Sequence, residues 1–98
     1  MTEIVINSSP YIYFDVYGAT ASTVSAVLKK DGISDIDLTT SLYTGQLPST
    51  ASERWQAQVP SSVTQQEGIF KVIWTASINS ETIVKTDFFD IITPYTTP

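Results

Sequence analysis

Three tyrosines at odd-numbered positions of one short segment are the residues of this sequence best suited to recognise a partner. Tyr11, Tyr13 and Tyr17 lie in a β-rich run, and Arg54 lies in a second such run beside two glutamines of its own parity. Rigid aromatic rings near arginine and amides are typical of protein interface centres. The same groups can form a sugar-stacking platform, and tyrosines can also simply pair across strands. A partner interface, a glycan platform and a purely structural face therefore all remain open.

Acidic residues suggest a second kind of site, a metal centre. Asp35 and Asp37 alternate, so that their carboxylates would lie on one side of a strand, and Asp87 and Asp90 could add further oxygens for a hard cation. A calcium loop needs a denser series of ligands with an internal glycine. We interpret the aspartates as acidic strand edges that discourage pairing with foreign strands, and we predict no metal site.

The residue types needed for catalysis are missing. The 98 residues include no histidine and no cysteine, which removes the usual zinc sites, thiolates and histidine-activated serines. Lys29 and Lys30 look too exposed to act as a desolvated base. Glu53 and Glu67 have no convergent groups around them that would make a glycosidase pair. We predict no catalytic residues, no enzyme activity and no cofactor.

Charge and hydropathy narrow the range of partners. The net charge is −5 with only five lysines and arginines, which argues against nucleic acid, because nucleic-acid binding draws on clustered cations. No apolar run approaches the roughly 18 residues of a membrane span, and the N-terminus lacks the basic and apolar regions of a signal peptide. We expect a protein made in the cytoplasm that binds neither nucleic acid nor membrane.

The element that organises the chain is predicted at residues 67–76. Phe70, Val72, Trp74 and Ala76 alternate there with residues of the opposite face, and Gly68 stands at the entrance. Alternation with β-branched and aromatic residues predicts a strand with one buried face. This run is expected to be the central strand of a small sandwich.

The same pattern predicts the other strands. They are expected at residues 3–7, 11–17, 23–30, 53–59 and 82–92, with one or two short edge strands within 33–44. Tight turns separate them, including the hairpin signal Asp31-Gly32. The side chains expected to face the core are Ile4, Ile6, Ile12, Phe14, Val16, Val24, Ala26, Leu28, Ile36, Leu38, Leu42, Trp55, Ala57 and Val59.

The last predicted strand breaks strict alternation. Apolar residues fill positions 88, 89, 91 and 92, which predicts a bulge or a strand buried on both faces. Ile69 and Ile73 should lie on the outer face of their sheet, and Phe88 or Phe89 should share that face. An apolar outer strip of this kind favours contact with a partner or with another copy of the chain.

About seven strands with turns every 8 to 12 residues describe an all-β, immunoglobulin-like antiparallel β-sandwich. Residues 24–32 resemble the third strand and turn of such domains, and residues 67–72 resemble the entry to their sixth strand. The chain departs from the antibody type, because it has Ala26 at the usual tryptophan position and no disulfide, with Trp55 and Trp74 available to fill that volume. We expect the domain at residues 1–92 and a tail at 93–98.

A narrower resemblance is carried by residues 17–21, by Val24 and Leu28, and by residues 30–32, 67–70 and 89–95. Together they resemble small immunoglobulin-like domains of tailed-bacteriophage virion proteins, which occur in neck, head-decoration and tail components. The resemblance implies a non-enzymatic structural protein of the virion, made in the host cytoplasm and bound to other virion proteins in a symmetric multi-copy assembly.

The interface residues predicted for that role are Tyr11, Tyr13, Tyr17 and Arg54, with Tyr95 of the tail as a strap over an adjacent subunit. The alternative function is a carbohydrate-binding or host-adhesion module on the virion surface. In that case the same tyrosines would stack on a glycan.

Overall fold

The computed structural model describes residues 2–94, and these form β-strands and connecting turns without a helix. The eight strands are β1 (Thr2–Val5), β2 (Tyr11–Val16), β3 (Ala21–Lys30), β4 (Ile36–Leu38), β5 (Thr40–Leu42), β6 (Glu53–Gln58), β7 (Gly68–Ile78) and β8 (Glu81–Ile92). The segment predicted to hold one or two short strands holds two, β4 and β5. The structure therefore has eight strands, one more than the expected seven or so.

The strands form two packed sheets, as predicted for a β-sandwich. One sheet has the order β1-β8-β7-β3-β4 and the other the order β2-β6-β5. This is the immunoglobulin-like division: β3, β7 and β8 share one sheet, as the third, sixth and seventh strands of a seven-stranded immunoglobulin-like domain do, and β2 and β6 share the other, as its second and fifth strands do. All pairs are antiparallel except β1 with β8, which run parallel. No disulfide links the sheets, because the sequence contains no cysteine.

The core is centred on β7, as its alternation predicted. Trp74 has no exposed surface and stacks on Phe14 of the opposite sheet with ring centroids 5.6 Å apart. Phe70 stacks on Phe89 of β8 at 5.1 Å. Trp74 therefore occupies the centre of the sandwich, and Trp55 is only half-buried at its margin.

Most of the predicted core residues are buried, and Leu42 is the clear exception. Ile6, Ile36 and Trp55 are partly buried. Leu42 belongs to β5, where it lies opposite Trp55 of β6, and it is 46% exposed. The expectation that Leu42 contacts the core is therefore wrong. The reason is its position, since β5 is the edge strand of the smaller sheet and has only three residues.

The bulge or double burial expected in β8 is also wrong. The β7–β8 register runs without a shift from Gly68 opposite Ile91 to Ile78 opposite Glu81. Phe89 faces inward and is buried, whereas Phe88 faces outward and is 50% exposed. The consecutive apolar residues therefore mark a regular strand with an apolar outer face.

Candidate functional site

The outer face of the smaller sheet carries two of the predicted tyrosines and the predicted arginine. In the β2–β6 register Tyr11 lies opposite Gln58, Tyr13 opposite Gln56 and Asp15 opposite Arg54. The alternate β2 side chains Ile12, Phe14 and Val16 are buried between the sheets. Strand alternation therefore puts Tyr11, Tyr13 and Arg54 on one solvent-facing surface, as expected.

Asp15 holds Arg54 in a two-point ion pair. The Nε of Arg54 donates to Oδ1 of Asp15 at 2.6 Å, and Nη2 donates to Oδ2 at 3.0 Å. The side chains of Arg54 and Asp15 keep only 24% and 20% of their surfaces exposed. Hydrogen bonding to Asp15 raises the pKa of Arg54 above its ordinary value, so the ion pair further favours a guanidinium that is charged in any case.

Two aromatic rings complete the arrangement. The guanidinium carbon of Arg54 lies 4.5 Å from the ring centroid of Tyr13 and 5.8 Å from that of Tyr43. The two rings meet edge to face, with centroids 5.7 Å apart and an interplanar angle of 77°. Tyr13, Asp15, Tyr43 and Arg54 thus form one contact network, which we name the arginine–tyrosine cluster.

The sequence reading did not identify Tyr43. It lies one residue beyond β5, where its N–H donates to the carbonyl of Arg54 at 2.7 Å and extends the pairing with β6. A signal was present, because Ser41 and Tyr43 alternate in the same sense as the outward residues of a strand. The many serines and threonines of the segment obscured it.

Gly45 was missed as well, and it limits the position of the Tyr43 ring. A Cβ atom at Gly45 would overlap the phenol end of Tyr43. Because the φ angle of Gly45 is not in the left-handed region, a side chain at this position would be opposed by the Tyr43 ring and not by the backbone conformation. Gly45 therefore leaves the space that the end of the Tyr43 side chain occupies.

The remaining predicted interface residues lie outside the cluster. Tyr11 belongs to the same face, two residues before Tyr13 on β2, and is 51% exposed. Tyr17 follows the end of β2, is 59% exposed and lines an open depression with Ile83 and Lys85. Tyr95 lies outside the described residues. The structure thus brings Tyr13 and Arg54 into contact and leaves Tyr17 apart from them.

The four aspartates considered as cation ligands are not brought together. Asp35 is paired with Lys29 at 2.8 Å, and Asp37 belongs to β4. Asp87 and Asp90 belong to β8, and strands β7 and β3 intervene between β8 and β4. Within residues 2–94 no group of three or more acidic side chains is positioned to hold a metal ion.

The outer face of the larger sheet is apolar around Ile69 and Phe88, which are 54% and 50% exposed. Ile73 is half-buried on the same face. Of the two phenylalanines considered for this strip, Phe88 is the one that faces outward. The molecule therefore has a polar, aromatic outer face on the smaller sheet and an apolar patch, interrupted by Lys71, on the outer face of the larger sheet.

None of the described residues lies in a helix with the length and apolarity needed to span a membrane. Comparison of the chain with protein-family models, with curated proteins and with solved structures found no match.

Proposed function

We propose that the chain is a non-enzymatic binding module that docks onto a protein partner through the arginine–tyrosine cluster. The observation that supports this most strongly is the fixed position of Arg54, held by Asp15 at 2.6 and 3.0 Å and stacked on Tyr13 at 4.5 Å. Arginine and tyrosine dominate the energetics of interfaces when their side chains are rigid and desolvated on binding. In the free chain the side chain of Arg54 is already held in place and is already partly shielded from water.

Pre-organisation gives this site an advantage over a loose group of the same residues. Immobilising a long side chain at an interface costs about 0.5–1.5 kcal/mol, and Arg54 has already lost much of that freedom in the fold. Asp15 engages two of the five donors of the guanidinium, so the others can bind carboxylate or carbonyl oxygens. The partner surface should therefore supply such an acceptor beside an apolar or aromatic group.

The contact between Arg54 and Tyr13 favours a protein partner over a sugar. A sugar ring stacks on an open aromatic face, and the guanidinium of Arg54 covers one face of Tyr13. The edge of Tyr43 packs against the same ring. Tyr13 therefore offers less free ring surface than its place on the outer face would suggest.

We further propose that the partner is another structural protein of a tailed-phage virion. The support for this setting is the sequence resemblance to immunoglobulin-like domains of neck, decoration and tail proteins. A repeated particle surface would let many weak clusters act together, since multivalent attachment raises overall affinity by orders of magnitude. The role at the particle would be to reinforce or connect other subunits.

Glycan binding is the second candidate, and Tyr11 is the residue that favours it. Its ring is 51% exposed, and it lies beside Gln58 and diagonal to Gln56. An open ring flanked by amides can stack on a sugar and hydrogen-bond its hydroxyls. This function would depend on Tyr11 rather than on the cluster.

The virion setting is tested by measuring the copy number of the chain in particles purified from cells that produce it, by quantitative mass spectrometry. We expect a fixed multi-copy ratio to the major particle proteins. Arg54→Ala should lower the occupancy of washed particles, with an affinity loss of about 30-fold, the value for a strong interface residue. Lys71→Ala, which removes a cation from the other sheet, is the matched control. Absence of the expressed wild-type chain from the particles would refute the virion role.

A glycan array separates the two candidates. For glycan binding, Tyr11→Ala should abolish the array signal while leaving particle occupancy unchanged. For protein docking, Arg54→Ala should lower particle occupancy, and no array signal is expected from the wild type. A wild-type array signal that Tyr11→Ala removes would favour adhesion over a structural role.

A further inference from the structure

Strand β8 has a long unpaired edge. It runs from Glu81 to Ile92, but β1 pairs only with its last four residues, Phe89–Ile92. In the part of the chain that the structure describes, residues 81–88 of β8 have β7 on one side and no strand on the other. This edge belongs to the larger sheet, and its end at Thr86 and Phe88 lines one cleft with Arg54 of the arginine–tyrosine cluster.

The hydrogen-bonding direction of each β8 residue follows from the turn that precedes it. Asn79 and Ser80, with φ angles of 52° and 64°, form a two-residue turn closed by the pair of Ile78 and Glu81. Hydrogen-bonded and non-hydrogen-bonded pairs then alternate along the ladder. Odd-numbered residues of β8 direct their backbone groups to β7, and even-numbered residues direct theirs away.

An observed bond agrees with this assignment, because the carbonyl of Ile92 accepts from the N–H of Ile6 on the β1 side at 2.9 Å. The backbone N–H and C=O groups of Thr82, Val84 and Thr86 therefore point outward along the unpaired edge. These three alternate residues present unpaired N–H and C=O groups with which another strand can form backbone hydrogen bonds.

The side chains along this edge favour pairing. Val84 is 61% exposed and Ile83 is 40% exposed, and the flanking threonines are β-branched and uncharged. The segment contains no proline, and the register with β7 shows no bulge. Lys85 is its one cation, and its amine lies 3.5 Å from Asp87. Proline and a bulge, two of the devices that proteins use to block edge pairing, are therefore missing here, and the charged devices present are Glu81, Lys85 and Asp87.

We propose that this edge pairs antiparallel with the same edge of a second copy of the chain, about a twofold axis at Val84. The two five-stranded sheets would join into one continuous sheet. Val84 would lie opposite Val84 of the second copy, and Thr82 opposite Thr86. The three hydrogen-bonded pairs thus formed would exchange about six backbone hydrogen bonds.

The length of the open edge selects this register. With the axis at Val84, the turn of the second copy ends opposite Phe88, just before Thr2 of β1, which lies opposite Phe89. An axis one residue later would push Glu81 of the second copy into the position of Thr2. An axis earlier in the strand would shorten the paired segment.

The charges of this register are distributed as follows. The axis at Val84 sets Lys85 opposite Ile83 of the second copy, whereas an axis at Lys85 would oppose the two lysines directly, and like charges on directly opposed positions are destabilising. The same axis sets Glu81 opposite Asp87 of the second copy. Each Lys85 is diagonal to Glu81 of the second copy and 3.5 Å from its own Asp87, so a cation adjoins each opposed pair of carboxylates.

Such a dimer would place the paired strand of the second copy beside the cleft that Arg54 and Tyr13 share with Thr86. It would carry two arginine–tyrosine clusters, one in each chain, and bivalence strengthens attachment to a repeated surface. Dimerisation would depend on the backbone of β8 and docking on the side chains of the cluster, so separate variants test the two.

The mass in solution is the first test. Light scattering over a concentration series should give twice the 10.8 kDa of one chain at high concentration. Val84→Pro removes the central outward N–H without removing a bond to β7, and it should raise the dimer dissociation constant at least ~100-fold. If that variant fails to fold, Thr86→Lys introduces a charge on the same edge and should have the same direction of effect. A monomer at every wild-type concentration would overturn the proposal.

Cross-linking tests the register. The chain has no cysteine, so Val84→Cys introduces a single thiol. Opposed residues of a hydrogen-bonded antiparallel pair have Cα atoms ~5.5 Å apart, within the range of a disulfide. Mild oxidation should therefore produce a covalent dimer. Ile69→Cys, which is 54% exposed on β7 away from the edge, is the control and should stay monomeric. Equal cross-linking of both variants would indicate contact through the sheet face and refute edge pairing.

Discussion

The coupling between Asp15 and Arg54 is the quantity that decides whether the candidate site is pre-organised. A double-mutant cycle with Asp15→Ala, Arg54→Ala and the double variant measures it as a change in the free energy of unfolding. The two hydrogen bonds of 2.6 and 3.0 Å are charge-assisted, and the side chains keep about a fifth to a quarter of their surface, 20% and 24%. The pair is thus intermediate between exposed ion pairs and buried ones.

The expected magnitudes follow from that intermediate burial. Exposed pairs couple by about 0.2–1 kcal/mol, and breaking a fully buried pair costs about 3–5 kcal/mol. We expect each single variant to lose about 2 kcal/mol, with a coupling energy of about 1–1.5 kcal/mol. Arg54→Ala should lose about 0.5–1 kcal/mol more than Asp15→Ala, because it also removes the stacking on Tyr13 at 4.5 Å.

Urea unfolding followed by tryptophan fluorescence is a suitable assay, because Trp74 is fully buried. For slopes of about 1–2 kcal/mol per M, each single variant should lower the midpoint by roughly 1–2 M. The pair of Lys29 and Asp35, with side chains 41% and 54% exposed, is the internal control and should couple by less than about 0.5 kcal/mol. A coupling of Asp15 with Arg54 no larger than the control would refute pre-organisation of the cluster.

Two further substitutions test the support of the site and the core. Gly45→Ala should displace the Tyr43 ring and weaken particle attachment about 3- to 10-fold, with little loss of stability. A binding assay measures the first effect and urea unfolding the second. Unchanged binding would mean that Tyr43 takes no part in docking. Asp87→Ala should lower the free energy of unfolding, measured in urea, by about 1–3 kcal/mol, because the indole N–H of buried Trp74 loses its acceptor at 3.2 Å. A loss of stability as small as that expected for removing an exposed carboxylate would contradict this prediction.

The candidate site was only partly predictable from the sequence. Alternation was enough to assign Tyr13 and Arg54 to outward faces, and an immunoglobulin-like order was enough to make their strands neighbours. The contact of Arg54 with Tyr43 depends on pairing between β5 and β6, which are separated by the loop that contains Gly45. Short polar segments such as β5 carry little periodicity, so their partners are set by tertiary contacts.

The prediction of a bulge or double burial in β8 is wrong for a related reason. The apolar residues at 88, 89, 91 and 92 predict a bulge or a strand buried on both faces. The strand is regular, because the ladder with β7 fixes its pleat and leaves Phe88 outside and Phe89 inside. Local sequence does not distinguish a buried apolar residue from one that faces outward on a sheet.

The sequence by itself determined the all-β class, the central strand and its buried face, since a period of two and β-branched and aromatic residues are local properties of the chain. It also determined the lack of cysteine and histidine chemistry. Only the tertiary structure decided that β1 covers a third of β8, that Tyr17 lies apart from Tyr13, and that Arg54 is held between Asp15 and two tyrosines. These features depend on register and on contacts between residues distant in sequence, which no local pattern encodes.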